Sequence, residues 1–220
     1  MSTSNPPVPS LTRRLIATIS KDACQPLLAP LGFRRSAPHF WRLTDGLSHC
    51  VNFQASAWGT RDGGSFTINL GVSSPALYES AFGRQFPKVP ASPLWPISTR
   101  IGFVMPAPQR DLWWDIDEST DVAKIGVDVV ETLRNHAIPW FERLSTRSEL
   151  KTAVEYQPSL LGFHKAQAPL VLAIFAAEEG DLPRAQSILE GALDDSRRNV
   201  PQVLIRRVAS RWGITLSKRS

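Results

Sequence analysis

Five carboxylates fall close together in the chain: Asp111, Asp115, Asp117, Glu118 and Asp121. Hard cations such as Mg²⁺ take carboxylate oxygens, and Asp115 and Asp117 would share one strand face, so a metal-dependent hydrolase is one reading of this stretch. The same run also suits a strand end followed by an acidic helix start, where the helix dipole favours Asp and Glu. No His or Asn stands at a diagnostic spacing, so no metal ligand is assigned.

A second group is polar rather than acidic. Strand alternation puts Asn52, Gln54, Thr67, Asn69, Arg100 and Trp113 opposite an apolar face. Amides offer donors and acceptors together, Arg adds a planar fork, and Trp adds a flat apolar surface. Such a face can line a groove for a peptide or a small polar ligand. It is also what the solvated side of a one-sided sheet looks like, although Asn is depleted in strands.

The third group is basic. Arg206, Arg207 and Arg211 lie on the last expected helix, with Trp212 beside them. Guanidinium groups next to an aromatic ring can bind nucleic acid through phosphates and stacking. The alternative is docking on the protein's own body, helped by the preference of helix C-termini for cations. His39, His49, His136 and His164 are scattered with no zinc-like spacing. A Cys50–His39 pair across the hairpin is conceivable but has no third member. The chain has no GxSxG, Walker or GxGxxG pattern. No catalytic residue and no cofactor is therefore expected.

The elements that must position these groups follow from periodicity. Leu11, Leu15, Ile16 and Ile19 form a helical stripe, broken or restarted at Pro26 and stopped at Gly32. Strands are expected at 39–44, 47–58, 65–72, 97–104 and 111–116, with Asp45-Gly46 as a hairpin turn. A long loop with five prolines runs over 73–96, with one helical turn near Ala76 to Gly83. A helix capped by Asp117 or Ser119 runs to about His136, with Val122, Ile125, Val129 and Leu133 as its core stripe. Pro139 opens a short segment, and everything from about 148 onward reads as helix. The expected fold class is α+β: a mostly antiparallel five-stranded sheet packed on helices. Residues 1–10 read as a disordered lead, 11–147 as the α+β domain, and 148–220 as a helical extension with a basic tail.

Two stretches resemble known families. The ordered pattern PLLAPLGFRRSAPHFWR, VNFQAS, FTINLGV, LWWDID and AIPWFERL, within residues 11–147, resembles a bacterial family known as domain of unknown function 4304. The resemblance implies an α+β domain and supplies no catalytic residues. The run LAIFAAEEGDLPRAQSILEGALDD, residues 172–195, resembles one tetratricopeptide hairpin. Stable arrays need about three units, and an ordinary helical hairpin packed on the domain fits a single one.

The net charge of +5 is unevenly spread: +5 over residues 1–44, −7 over 45–195 and +7 over 196–220. An acidic body with basic ends favours a tail that docks on its own domain over one that reaches for nucleic acid. MSTSNPPVPS lacks the basic and apolar regions of a signal peptide, no apolar run is long enough to span a bilayer, and there are two Cys. A cytoplasmic protein without membrane contact is expected. The functional expectation is a non-catalytic binding or protein-interaction module using the polar sheet face and the loop at 84–96. One version is an immunity-type role against a toxin partner. Nucleic-acid binding through the basic ends and a hydrolase at Asp111–Asp121 are the alternatives.

Overall fold

The computed structural model describes residues 10–90, 97–158, 167–194 and 200–217. The lead at 1–9, Pro93, Pro96, His164 and the tail residues Arg197, Arg198, Lys218 and Arg219 lie outside them.

Helix α1 (Leu11–Thr18) widens into a π-helical turn at Ile19–Cys24, then continues as α2 (Gln25–Leu28) and a 3₁₀ turn at Ala29–Leu31. Pro26 therefore does not end the helix. A wide turn ahead of it makes room for a ring that would otherwise strike the preceding turn. The same solution recurs at Pro139, where α4 (Val122–Thr132) widens at Leu133–Ala137 before α5 (Ile138–Glu142). These two helical segments pack on each other, with Gly126 against Ala23: a Cβ on Gly126 would lie 3.2 Å from the alanine methyl. The cap of α4 is Asp121, which accepts from the Lys124 N–H. Asp117 is instead spent on Ser119 and Thr120.

The sheet is antiparallel and has one strand more than the sequence pattern suggests. Strand β1 (Arg34–Ser36) pairs β2 (His39–Thr44), which pairs β3 (Leu47–Ala55), which pairs β4 (Gly64–Ser73). The far edge of β4 is shared by β5 (Ile97–Arg100) and β6 (Trp114–Ile116). Strand β1 escapes a periodicity reading because it has three residues and no apolar alternation. Strand β5 stops at Arg100, where a 3₁₀ turn at Ile101–Phe103 follows.

One sheet face is the core. Phe40, Val51, Phe53, Phe66, Ile68, Leu70 and Trp114 are buried there with Ile16, Ile19, Val129 and Leu133 from the helices. A polar relay runs inside this core. Arg42 lies over the Phe33 ring and donates to the Leu31 carbonyl. Its Nε donates to His49 Nδ1 at 3.2 Å. His49 Nδ1 is thus an acceptor, so Nε2 carries the proton and donates to the Leu144 carbonyl at 3.0 Å. The ring is fully buried and stacks on Phe141 at 4.8 Å. Burial, and then the Arg42 charge, lowers the His49 pKa to about 4, against a smaller opposing pull from the Leu144 carbonyl.

The remaining helices gather around α7 (Ala168–Glu178), which is apolar almost all round and buried. It is surrounded by α3 (Pro75–Phe82), α6 (Arg147–Tyr156), α8 (Leu182–Asp194) and α9 (Gln202–Arg211). A capping box of Thr146 and Glu149 starts α6. The Arg147 N–H donates to Asp45 in the β2–β3 turn, and its guanidinium pairs with Glu178. These contacts tie the helical cluster to the sheet, and the two share one hydrophobic core.

Candidate functional site

The second sheet face carries the polar residues, and its register is set by a turn. Asp45 and Gly46 both have positive φ, so a two-residue turn joins β2 to β3 and makes Thr44 oppose Leu47. Counting outward, Trp41 opposes Cys50, and His39 lies opposite Asn52. Asn52 opposes Asn69, Gln54 opposes Thr67, and Asn69 opposes Arg100. Ser36 opposes His39 at the outer edge. One row of polar side chains therefore crosses five strands: Ser36, His39, Asn52, Asn69 and Arg100.

The middle of the row, from His39 to Asn69, is hydrogen-bonded. Asn69 Nδ2 donates to Gln54 Oε1 at 2.8 Å and to Asn52 Oδ1 at 3.3 Å. Asn52 Nδ2 donates to His39 Nδ1 at 2.9 Å, and the Phe53 N–H reaches the same nitrogen at 3.2 Å. With Nδ1 accepting twice, His39 is held as the neutral tautomer protonated at Nε2. Burial lowers its pKa in the same direction. At the other end Arg100 pairs with Asp111 and lies over the Trp113 ring at 5.1 Å. A second such pair, Arg34 over Trp41 at 5.5 Å, stands on the β1–β2 side. Thr67 is turned to the Leu112 carbonyl at 2.7 Å.

Only half of this face is covered. Cys50 packs with Tyr78, Phe82 and Phe86 from α3 and the loop after it, and Ser48 and Ser73 are buried. Gln54 is exposed, Asn69, Arg100, Trp113, Trp41 and His39 are half-buried, and Asn52 and Thr67 are buried. The C-terminal helices thus close the face at one end through α3, and the amide row lies beyond their reach. Trp58, in the β3–β4 turn next to the open half, is 94% exposed.

The other expected groupings are not assembled. Asp111 is paired with Arg100, Asp117 is hydrogen-bonded within its own turn, and Asp121 caps α4. Among the described residues no group of three His, Cys, Asp or Glu side chains is placed to hold a metal ion. Cys50 faces Tyr78 rather than His39, because the register sets Trp41 opposite it. At α9, three of the four residues of the basic group make contacts with α3 while the Arg207 and Arg211 side chains stay exposed. Arg211 pairs with Glu79, Arg207 donates to the Ala81 carbonyl at 2.6 Å, and the Trp212 indole N–H donates to Ser80 at 3.1 Å. Arg206 points elsewhere, into a cleft with Glu190 and Asp194.

Residues 24–143 match the family model described as Domain of unknown function (DUF4304). The chain belongs to the DUF4304 family. The match runs from Cys24 through the end of α5, so it contains all six strands and the whole polar row. Helices α6 to α9 lie beyond it. No curated protein and no solved structure matches the chain. Among the described residues no helix is long and apolar enough to cross a membrane.

His39, Trp41 and Arg34 are the members of this DUF4304 face that strand alternation alone overlooks. The Asp45-Gly46 turn contains the missing signal, since a two-residue hairpin makes opposed positions sum to a constant.

Proposed function

We propose that this protein is a non-catalytic binding module whose open half-sheet takes an extended polypeptide segment of a protein partner. The observation that carries this reading is the polar patch on the uncovered half of the face, where Gln54 is exposed and Asn69 and His39 are half-buried around a buried Asn52, flanked by two Arg–Trp stacks. Asn and Gln present donors and acceptors together, which is what a peptide backbone needs. Stacked Arg and Trp are the residue types that anchor protein interfaces. Five strands spaced about 4.8 Å apart make the row about 19 Å long, room for roughly six extended residues. The reading includes no bond-breaking step. An immunity-type role is one case of it: the partner is then a toxin, and a toxin gene beside this one supports that version.

The test is capture with the full chain as bait, run beside a variant carrying Gln54→Ala, Arg100→Ala and Trp113→Ala. A protein retained by the wild type and lost from the variant supports the reading. Repeated failure to retain any partner, or a partner held equally by both baits, sinks it.

A further inference from the structure

The geometry points to a second binding site, for a phosphate group, where the end of α3 meets α9. Three guanidinium groups, from Arg84, Arg207 and Arg211, line one cleft of about 560 Å³ together with Glu79 and Ser210. Glu79 is the single carboxylate in that lining, and it is already engaged twice: one oxygen takes Arg211 and the other takes the Phe86 N–H. The local balance is therefore three positive charges against one negative.

Each arginine is pre-positioned by a different contact. Arg84 lies over the Tyr78 and Phe82 rings at 5.5 and 5.6 Å, contacts with ring faces that use none of its N–H groups as hydrogen-bond donors to an oxygen. Arg207 gives one N–H to the Ala81 carbonyl and rests against Gly83, the left-handed residue that ends α3. A Cβ there would lie 3.7 Å from Arg207 Cδ. Arg211 is held by Glu79. A guanidinium has five N–H donors, so each keeps most of its fork after these contacts.

An excess of about two positive charges matches a phosphate monoester, which carries roughly −1.5 to −2 at neutral pH and three strong acceptor oxygens. A bound oxyanion would relieve repulsion among the guanidiniums and use forks that suit phosphate geometry. Ser210 Oγ adds a neutral donor at the rim. The site is independent of the amide row, since it lies on α3 and α9 rather than on the sheet.

The test is calorimetric titration of the full chain with inorganic phosphate, O-phosphoserine and adenosine monophosphate, at ionic strength held constant with sodium chloride. The wild type is expected to bind phosphate. Arg84→Gln is expected to weaken it at least tenfold, because a charge-assisted contact is lost. That substitution removes no hydrogen bond to the protein, so the fold is retained. Ser210→Asp, on an exposed position of the cleft, is expected to weaken binding similarly by repelling the anion. A phosphorylated probe that binds more tightly than inorganic phosphate identifies the carrier, and equal affinities assign the free anion. No binding by any probe, or binding unchanged in both variants, overturns the proposal.

Discussion

Acid is expected to weaken this protein through one buried residue, His49. Its folded pKa is lowered from 6.5 to about 4, chiefly by burial and then by the Arg42 charge. The sign follows from where the proton goes. Between pH 6.5 and 4 the unfolded chain takes up a proton that the folded chain refuses, so unfolding is favoured as pH falls. The stability contributed by neutral His49 is complete above pH 6.5 and is lost as pH falls to about 4. Each pH unit in that window is worth about 1.4 kcal/mol. The loss is therefore about 2 kcal/mol by pH 5 and about 3 kcal/mol by pH 4. Urea unfolding, followed by tryptophan fluorescence at half-unit pH steps, measures it against His49→Gln, which does not titrate. The variant starts from lower stability because it loses the stack on Phe141, so the test is the difference in slope. His39 titrates in both proteins and cancels. Parallel stability–pH curves for the two proteins would refute the assignment of His49 as a neutral link between Arg42 and the Leu144 carbonyl.

Three further outcomes are expected. Gly102→Ala places a methyl 2.0 Å from the Arg110 carbonyl oxygen and 2.8 Å from the Leu112 nitrogen. Backbone must move, and a loss of about 3 kcal/mol, or roughly 6–12 °C in Tm, is expected by thermal unfolding. Asn69→Ala removes the donor shared by Gln54 and Asn52, costing about 1–2 kcal/mol in urea and loosening the His39 tautomer, visible as a changed imidazole nitrogen shift in NMR. Thr146→Ala breaks the capping box of α6 and costs about 1 kcal/mol; unchanged stability would mean that the packing on α7 and the Arg147 contacts with Asp45 and Glu178 hold α6 without the box.

Much of the fold was open to the sequence because its signals are local. Alternation through Val51, Phe53, Phe66, Ile68 and Leu70 marks a one-sided sheet, and Asp45-Gly46 marks the turn between β2 and β3. Strand β1 was hidden because Arg34, Arg35 and Ser36 carry no apolar rhythm and become a strand only by pairing with β2. The cap of α4 is Asp121 rather than Asp117 or Ser119, because several side chains in that stretch can cap and the local turn at Ser119 and Thr120 takes Asp117. Pro26, which reads as a break or restart, and Pro139, which reads as the start of a separate segment, are both absorbed by wide turns, which no residue type announces.

The candidate site divides the same way. Period-two alternation is enough to put Asn52, Gln54, Thr67, Asn69 and Arg100 on one face, since side chains alternate on any strand. Strand order and register are long-range facts. They decide that Asn69 bridges Asn52 and Gln54, that His39 joins the row, and that Cys50 does not meet His39. The charge pattern suggested a basic tail before an acidic body, because charge is additive along a chain. Where that tail goes depends on packing across more than a hundred residues. Only the docking of α9 on α3 brings Arg207, Arg211 and Trp212 against that helix and Arg84 beside them.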